Sequence, residues 1–133
     1  MTVGILLITH TGLGDSLLRS ARAILAAEPA DAEAIDVPGD SDPDAVFELA
    51  LAACRRLDSG EGVLVLTDLY GSTPSNIAGR LTEHHNVLVL AGVSLPMLVR
   101  ALNYRDSPLA ELGNKALHGA YDGVVMTTHQ EAS

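Results

Sequence analysis

The 133-residue sequence is poor in cysteine and in aromatic residues. Its one cysteine, Cys54, excludes a disulfide within the chain and is compatible with a reducing compartment. Aromatic residues make up only 3% of the chain, against 47% for all hydrophobic residues, so we expect an aliphatic core. A chain of this length can bury such a core as one domain, residues 1–133, without disulfides or metals.

Basic residues and long hydrophobic runs are also scarce. The 8 basic and 17 acidic residues give a net charge of −9, which argues against nucleic-acid binding because phosphate backbones require Lys/Arg patches. No stretch reaches the roughly 18 to 20 apolar residues of a membrane span. The apolar run at residues 3–8 is too short for a signal-peptide core and follows no Lys or Arg. We therefore expect a soluble, unprocessed, cytoplasmic protein with no nucleic-acid partner and no direct membrane insertion.

Strand-like and helical segments alternate along the chain. Strands are predicted at residues 3–8, 32–37, 63–66 and 87–90, and helices at about 15–27, 43–57, 74–81, 95–102 and 108–117. This alternation predicts an α/β fold: a single doubly wound domain with four parallel strands in the order 2-1-3-4. A short C-terminal strand at residues 123–126 would complete an edge of the sheet, in its own subunit or in a partner.

Polar residues follow the first and third predicted strands. In the 2-1-3-4 order these strands are neighbours, about 4.8 Å apart, and doubly wound proteins bind ligands in the crevice at such strand ends. His10 follows the first strand and Asp68 the third. A carboxylate that accepts a hydrogen bond from one imidazole nitrogen fixes the tautomer and leaves the other nitrogen free to attack. The pair therefore predicts a nucleophilic histidine, and attack on phosphorus would give a phosphohistidine.

Small and hydroxyl-bearing residues flank this pair. The segment after the third strand opens a helix, and a helix N-terminus with its free N–H groups favours a bound phosphoryl group. Pro74 has no N–H, so we expect the first-turn amides to come from Ser75 and Asn76. The predicted phosphate-binding residues are Thr11, Gly71, Ser72, Thr73, Ser75 and Asn76, and we expect neither a metal nor a cofactor.

Other motifs have structural interpretations. The Gly12-Leu13-Gly14 turn after a strand is typical of dinucleotide binding, but Leu17 stands where the third glycine belongs, which favours a simple strand-to-helix turn. His84-His85 lacks further ligands at metal-binding spacing and is interpreted as a solvated helix end. Cys54 lies on the apolar stripe of its helix and is interpreted as a packed thiol.

Three motifs occur in order at the predicted strand ends: Ile-Thr-His at 8–10, Leu-Thr-Asp-Leu-Tyr-Gly-Ser-Thr-Pro-Ser-Asn at 66–76, and Ala-Gly-Val-Ser-Leu-Pro-Met-Leu at 91–98. With these motifs the chain resembles the IIA domain of the mannose family of the bacterial phosphoenolpyruvate-dependent sugar phosphotransferase system, over nearly its whole length. Many members carry a glycine where Ser72 stands and an asparagine where Ser94 stands. Neither departure alters His10 or Asp68, so we expect the chemistry to be retained.

The resemblance implies that His10 is the phosphorylated residue of a phosphotransferase component, that Asp68 hydrogen-bonds it, and that the loop through Thr73 holds the phosphoryl group. It implies an HPr-like phosphocarrier as donor, a separate IIB-type protein as acceptor, and a role in sugar uptake or its regulation. It also implies a homodimer whose C-terminal strand crosses to the neighbouring subunit.

Three alternatives stay open at this point. The first is a regulatory binding module that is switched by phosphorylation and transfers nothing onward. The second is a phosphocarrier that serves dihydroxyacetone kinase. The third is a flavodoxin-like domain that binds a nucleotide or another small ligand at the Gly12-Leu13-Gly14 turn.

Overall fold

Four parallel strands and five helices alternate in the computed structural model, which describes residues 2–27 and 31–129. The strands are β1 (Gly4–His10), β2 (Ala32–Val37), β3 (Val63–Thr67) and β4 (Val87–Ala91). The helices are α1 (Leu13–Leu25), α2 (Pro43–Leu57), α3 (Thr73–Leu81), α4 (Leu95–Asn103) and α5 (Leu109–Asp122). The sheet order is β2-β1-β3-β4, which confirms the predicted doubly wound α/β fold.

Each face of the sheet has its own aliphatic core. Leu6 and Ile8 of β1 pack with α2 and α3, whereas Ile5 and Leu7 of the same strand pack with α1, α4 and α5. This alternation is the period-two pattern of a strand that is buried on both sides. Cys54 is fully buried among the α2 and α3 residues, which confirms the packed thiol.

Helices α1 and α5 differ from their predicted bounds by two residues or more. Helix α1 begins at Leu13, two residues early, because Gly12 adopts a left-handed conformation with a φ of 80° and starts the helix directly after the strand. Helix α5 continues to Asp122 rather than ending near residue 117. Gly119 is a packing position inside α5, since a Cβ there would lie 2.8 Å from Cβ of Arg100 and 3.1 Å from the carbonyl oxygen of Pro96.

The predicted C-terminal strand forms no part of the sheet within the single chain. Val124, Val125 and Met126 are 85%, 75% and 81% exposed and lie outside regular secondary structure. Strand β4 pairs only with β3, so its outer edge is unpaired in the described part of the chain. Exchange of residues 123–126 with a second subunit therefore stays a prediction. The predicted loose tail falls largely on residues 130–133, which lie outside the described residues.

None of the helices formed by residues 2–27 and 31–129 has the length and apolar character needed to cross a membrane.

Candidate functional site

His10 and Asp68 lie in contact at the carboxyl edge of the sheet. Nδ1 of His10 lies 2.7 Å from Oδ2 of Asp68, and the backbone N–H of His10 donates to the same oxygen at 3.0 Å. The other carboxylate oxygen accepts the N–H of Leu69 at 3.1 Å. The side chain of Asp68 is 10% exposed and that of His10 is 54% exposed. The carboxylate is thus enclosed while much of the ring remains open to solvent.

The surroundings of Asp68 keep its carboxyl group ionised. Burial alone raises the pKa of Asp68, but the hydrogen bonds from the backbone and ring of His10 outweigh burial and hold that pKa below its usual value. A carboxylate can only accept hydrogen bonds, so the proton shared at this contact is on Nδ1 of His10. The lone pair of the neutral ring therefore lies on Nε2, the nitrogen that this contact leaves free to act as a nucleophile.

A cleft of about 160 Å³ opens beside His10. Its opposite wall is the connection between β2 and α2, which supplies Val37, Pro38, Gly39, Ser41 and Pro43. Sequence reasoning missed this wall. The signal was present in the predicted strand order, because β2 is the other neighbour of β1 and Val37 is paired in register with His10.

The N-terminus of α3 forms the third side of this cleft. Thr73 and Pro74 line it together with His10. Three other predicted phosphate-binding residues, Gly71, Ser75 and Asn76, line a second cleft of about 420 Å³ on the Tyr70 side of α3. The structure thus brings Thr73 to the His10 cleft and places those three around the same helix start.

Two predicted donors are engaged elsewhere or lie outside both clefts. The hydroxyl of Ser72 donates to the carbonyl oxygen of Leu69 at 2.5 Å. Thr11 is exposed after β1 and lines neither cleft. A phosphoryl group on His10 would gain a bond from Ser72 only if this hydroxyl rotated.

The expectation for the first-turn amides of α3 is wrong in one respect. The N–H of Asn76 donates to the carbonyl oxygen of Ser72 at 2.9 Å, because it already begins the helical bonding pattern. The N–H groups of Thr73 and Ser75 have no hydrogen-bond partner among the described residues. These two amides are therefore the free backbone donors at this helix start, and Asn76 offers only its side chain.

The glycine turn that precedes α1 is closed by internal hydrogen bonds. The N–H of Gly14 donates to Oγ1 of Thr9 at 2.8 Å, and Gly12 provides no side-chain cap. An amide that a bound dinucleotide would need is thus already used inside the protein. This arrangement favours the strand-to-helix turn over a nucleotide site.

A second His–Asp pair lies at the opposite end of the sheet. Nε2 of His85 is 2.7 Å from Oδ2 of Asp58, and the two side chains are only 19% and 16% exposed. Oδ1 of Asp58 accepts the N–H groups of Gly60 and Gly62 at 2.7 and 2.9 Å. The interpretation of His84-His85 as a solvated helix end is therefore wrong for His85, which clamps two loops together. Among residues 2–27 and 31–129, no group of three or more potential ligands could hold a metal ion.

Comparisons with known proteins show the family of the chain. A family model named EIIA-man, described as the fructose IIA component of the phosphotransferase system, matches residues 4–115. The chain is 38% identical over 110 residues to the mannose-specific EIIAB component of Escherichia coli K12, a match that covers 80% of this chain. The chain spans about a third of that relative, since the match covers 33% of its length.

Solved structures share the fold over almost the whole chain. The EIIA component from Streptococcus agalactiae superposes with a TM-score of 0.83 at 25% identity, covering 93% of this chain and 96% of the other. The mannose/sorbose-specific IIA subunit from Enterococcus faecalis gives 0.85 at 24% identity and covers 96% of both chains, which shows the fold alone. The chain therefore belongs to the EIIA-man family of phosphotransferase-system IIA components.

Proposed function

We propose that this protein is a phosphocarrier that accepts a phosphoryl group on Nε2 of His10 and passes it to a partner protein. The observation that carries the proposal is the 2.7 Å contact between Nδ1 of His10 and the enclosed carboxylate of Asp68. This contact fixes the tautomer whose Nε2 is nucleophilic, and the side chain of His10 is 54% exposed, which leaves room for a donor to approach.

The transfer step balances without a cofactor. The Nε2 lone pair of His10 attacks the phosphorus of a phosphohistidine on the donor, an N–P bond forms, and the N–P bond of the donor breaks. The electron pair leaves with the donor imidazole, which departs neutral when its other nitrogen carries a proton. Asp68 remains ionised and stabilises the positive charge that develops on the attacking ring.

The N-terminus of α3 is the proposed binding site for the transferred group. The free N–H groups of Thr73 and Ser75 and the partial positive charge of the helix end favour the phosphoryl oxygens. The side chain of Thr73, which lines the His10 cleft, is a further proposed contact. Thr11, Gly71, Ser72 and Asn76 lie outside this cleft and are proposed to contact the phosphoryl group only when it is bound, with the Ser72 hydroxyl rotated away from Leu69. Asp68 and His10 are the proposed catalytic pair.

Both partners are proposed to be proteins of the phosphotransferase system in the cytoplasm. The donor is an HPr-like phosphocarrier and the acceptor a separate IIB-type protein that serves sugar uptake or its regulation. Leu69 and Tyr70 next to the catalytic pair are 62% and 85% exposed, which gives a protein partner apolar surface to bury. Membership of the IIA family supports this assignment.

The experiment is phosphorylation of the purified chain by phosphoenolpyruvate and the general phosphotransferase enzymes. We expect one acid-labile phosphoryl group per chain, lost in His10→Ala and retained in His118→Ala, a matched change at an exposed histidine of α5. Label that survives in His10→Ala would contradict the proposal. Stoichiometric label with no onward transfer to a IIB-type protein would instead favour the regulatory binding module. Onward transfer to dihydroxyacetone kinase would favour a phosphocarrier that serves that enzyme.

We further propose a homodimer in which residues 123–126 pair with the sheet of the neighbouring subunit. The unpaired edge of β4 and the exposed Val124, Val125 and Met126 support this exchange. Val125→Pro removes a strand N–H and is expected to weaken the dimer by about tenfold or more in sedimentation equilibrium, whereas Val125→Thr keeps a strand-forming residue and is expected to leave it intact. A monomeric parent chain would refute the exchange.

A further inference from the structure

Thr9, the residue before His10, is fully buried at the end of β1. Its Oγ1 accepts the N–H of Gly14 at 2.8 Å and donates to the carbonyl oxygen of His10 at 2.9 Å. The proton of the hydroxyl and one of its lone pairs are both used. The hydroxyl thus joins the end of the strand to the first turn of α1.

The first turn of α1 depends on this hydroxyl for a cap. Gly12 is the N-cap residue and has no side chain with which to accept a free amide of the helix. The side chain of Thr9 reaches the amide of Gly14 from the strand instead.

Gly14 is the residue that allows this close approach. A Cβ at Gly14 would lie 3.1 Å from Oγ1 of Thr9 and 3.2 Å from Cβ of Ala34, closer than ordinary packing contacts. The glycine therefore brings α1 near enough for the hydroxyl to bond its amide, and the contact is fixed by packing on the α1 face of the sheet.

Hydrogen bonds anchor three groups of His10. Its backbone N–H and its ring are held by Oδ2 of Asp68, and its carbonyl oxygen is held by Thr9. We infer that Thr9 is a positioning residue for the phosphorylation of His10, because it fixes the peptide group that follows the histidine. This inference rests on the proposed function of His10 and adds a residue that acts through the backbone of the histidine.

The chain offers a matched control at the neighbouring strand. Thr67 precedes Asp68 as Thr9 precedes His10, and it is also fully buried. Its Oγ1 finds no hydrogen-bond partner among the described residues, and its side chain belongs to the opposite face of the sheet. The same substitution at the two threonines thus separates loss of the bridging hydroxyl from loss of a buried hydroxyl in general.

The test measures the initial rate of His10 phosphorylation in Thr9→Val, Thr9→Ser and Thr67→Val, below the onset of thermal unfolding of each. Thr9→Val is expected to be about 10- to 100-fold slower, since a displacement on the order of 1 Å in a reacting group can cost about 100-fold. The phosphorylation rates of Thr9→Ser, which keeps the hydroxyl, and of Thr67→Val should stay within about threefold of the parental rate. A folded Thr9→Val that reacts at the parental rate, or a Thr67→Val that is equally slowed, would overturn the inference.

A spectroscopic measurement keeps the inference separate from the proposed function. Nitrogen-15 NMR of the imidazole of His10 reports which ring nitrogen carries the proton. We expect Thr9→Val to increase the population protonated on Nε2, because a displaced ring loses its alignment with Asp68, and Thr67→Val to leave the populations unchanged. If the parent chain takes no label, the proposed function fails, and this NMR comparison still decides whether Thr9 positions the ring.

Discussion

Replacing Asp68 with asparagine changes the charge at the site while keeping the size of the side chain. In the parent chain, Oδ2 of Asp68 accepts two N–H groups from His10, and Oδ1 accepts a third from Leu69. An asparagine has one acceptor oxygen, so its NH2 group must face at least one of these donors. Where the NH2 group takes the place of Oδ2, the mismatch at the ring is relieved if His10 moves its ring proton to Nε2, which lets Nδ1 accept from the new amide and removes the nucleophilic lone pair. The backbone N–H of His10 still faces the NH2 group and loses its acceptor.

The size of the effect follows from the lost charge. A hydrogen bond to a charged group contributes about 1.5–3 kcal/mol, against about 0.5–1.5 kcal/mol for a neutral one, so the preference for the reactive tautomer falls by about 1–1.5 kcal/mol. Each 1.36 kcal/mol corresponds to about tenfold in rate, and the opposite tautomer gains a bond of its own. We therefore expect Asp68→Asn to accept the phosphoryl group about 10- to 100-fold more slowly.

The assay is single-turnover transfer from the phosphorylated donor protein, followed by quenching at alkaline pH. Asp58→Asn is the matched control, since Asp58 makes the same 2.7 Å contact with a histidine at the opposite end of the sheet. We expect this control to transfer at the parental rate while its free energy of unfolding falls. Parental transfer rates in a folded Asp68→Asn would refute the role given to the carboxylate, as would a similar slowing in Asp58→Asn.

Three further outcomes are expected from groups outside the proposed catalytic pair. Thr67→Val should raise the free energy of unfolding by about 1 kcal/mol in urea denaturation, since it removes a buried hydroxyl without a partner among the described residues. A decrease in the free energy of unfolding would show that the hydroxyl is bonded. Burial raises the pKa of Asp58, but the amides of Gly60 and Gly62 and the ring of His85 outweigh burial and hold that pKa below its usual value. Its contribution to stability is present above about pH 4 and lost as the pH falls through the lowered native pKa, so Asp58→Asn should flatten the loss of unfolding free energy below about pH 4; an unchanged slope would contradict this. Burial, and secondarily the charge of Asp58, raises the pKa of Cys54 to about 11, so only about one thiol in a thousand is ionised at pH 8. Because the thiol is also buried, a thiol reagent should modify Cys54 only at the rate at which the chain unfolds. Rapid labelling of the folded chain would contradict this expectation.

The strand order and the meeting of His10 with Asp68 could be predicted from the sequence because both follow from topology. Once β1 and β3 are neighbours, the residues that follow them must share one edge of the sheet. The wall at Pro38 and Gly39 follows from the same topology, through β2, but its residues carry no recognisable chemical motif.

Other features depend on three-dimensional packing. The bond from Thr9 to Gly14 requires α1 to approach the sheet closely, and no spacing in the sequence encodes that distance. The amide of Asn76 was misassigned because the exact start of a helix decides which N–H groups remain free. His85 was misassigned because its carboxylate partner lies 27 positions away in the sequence, on a loop with no predicted link to it.

The two His–Asp pairs of this fold also bear on how reactive histidines are found in other proteins. Both pairs have the same 2.7 Å separation, so a search that ranks histidines only by distance to a carboxylate would score them equally. The two histidines differ in exposure, since the side chain of His10 is 54% exposed and that of His85 is 19% exposed. A search that screens such pairs by the exposure of the histidine as well as by distance would exclude His85 and retain His10.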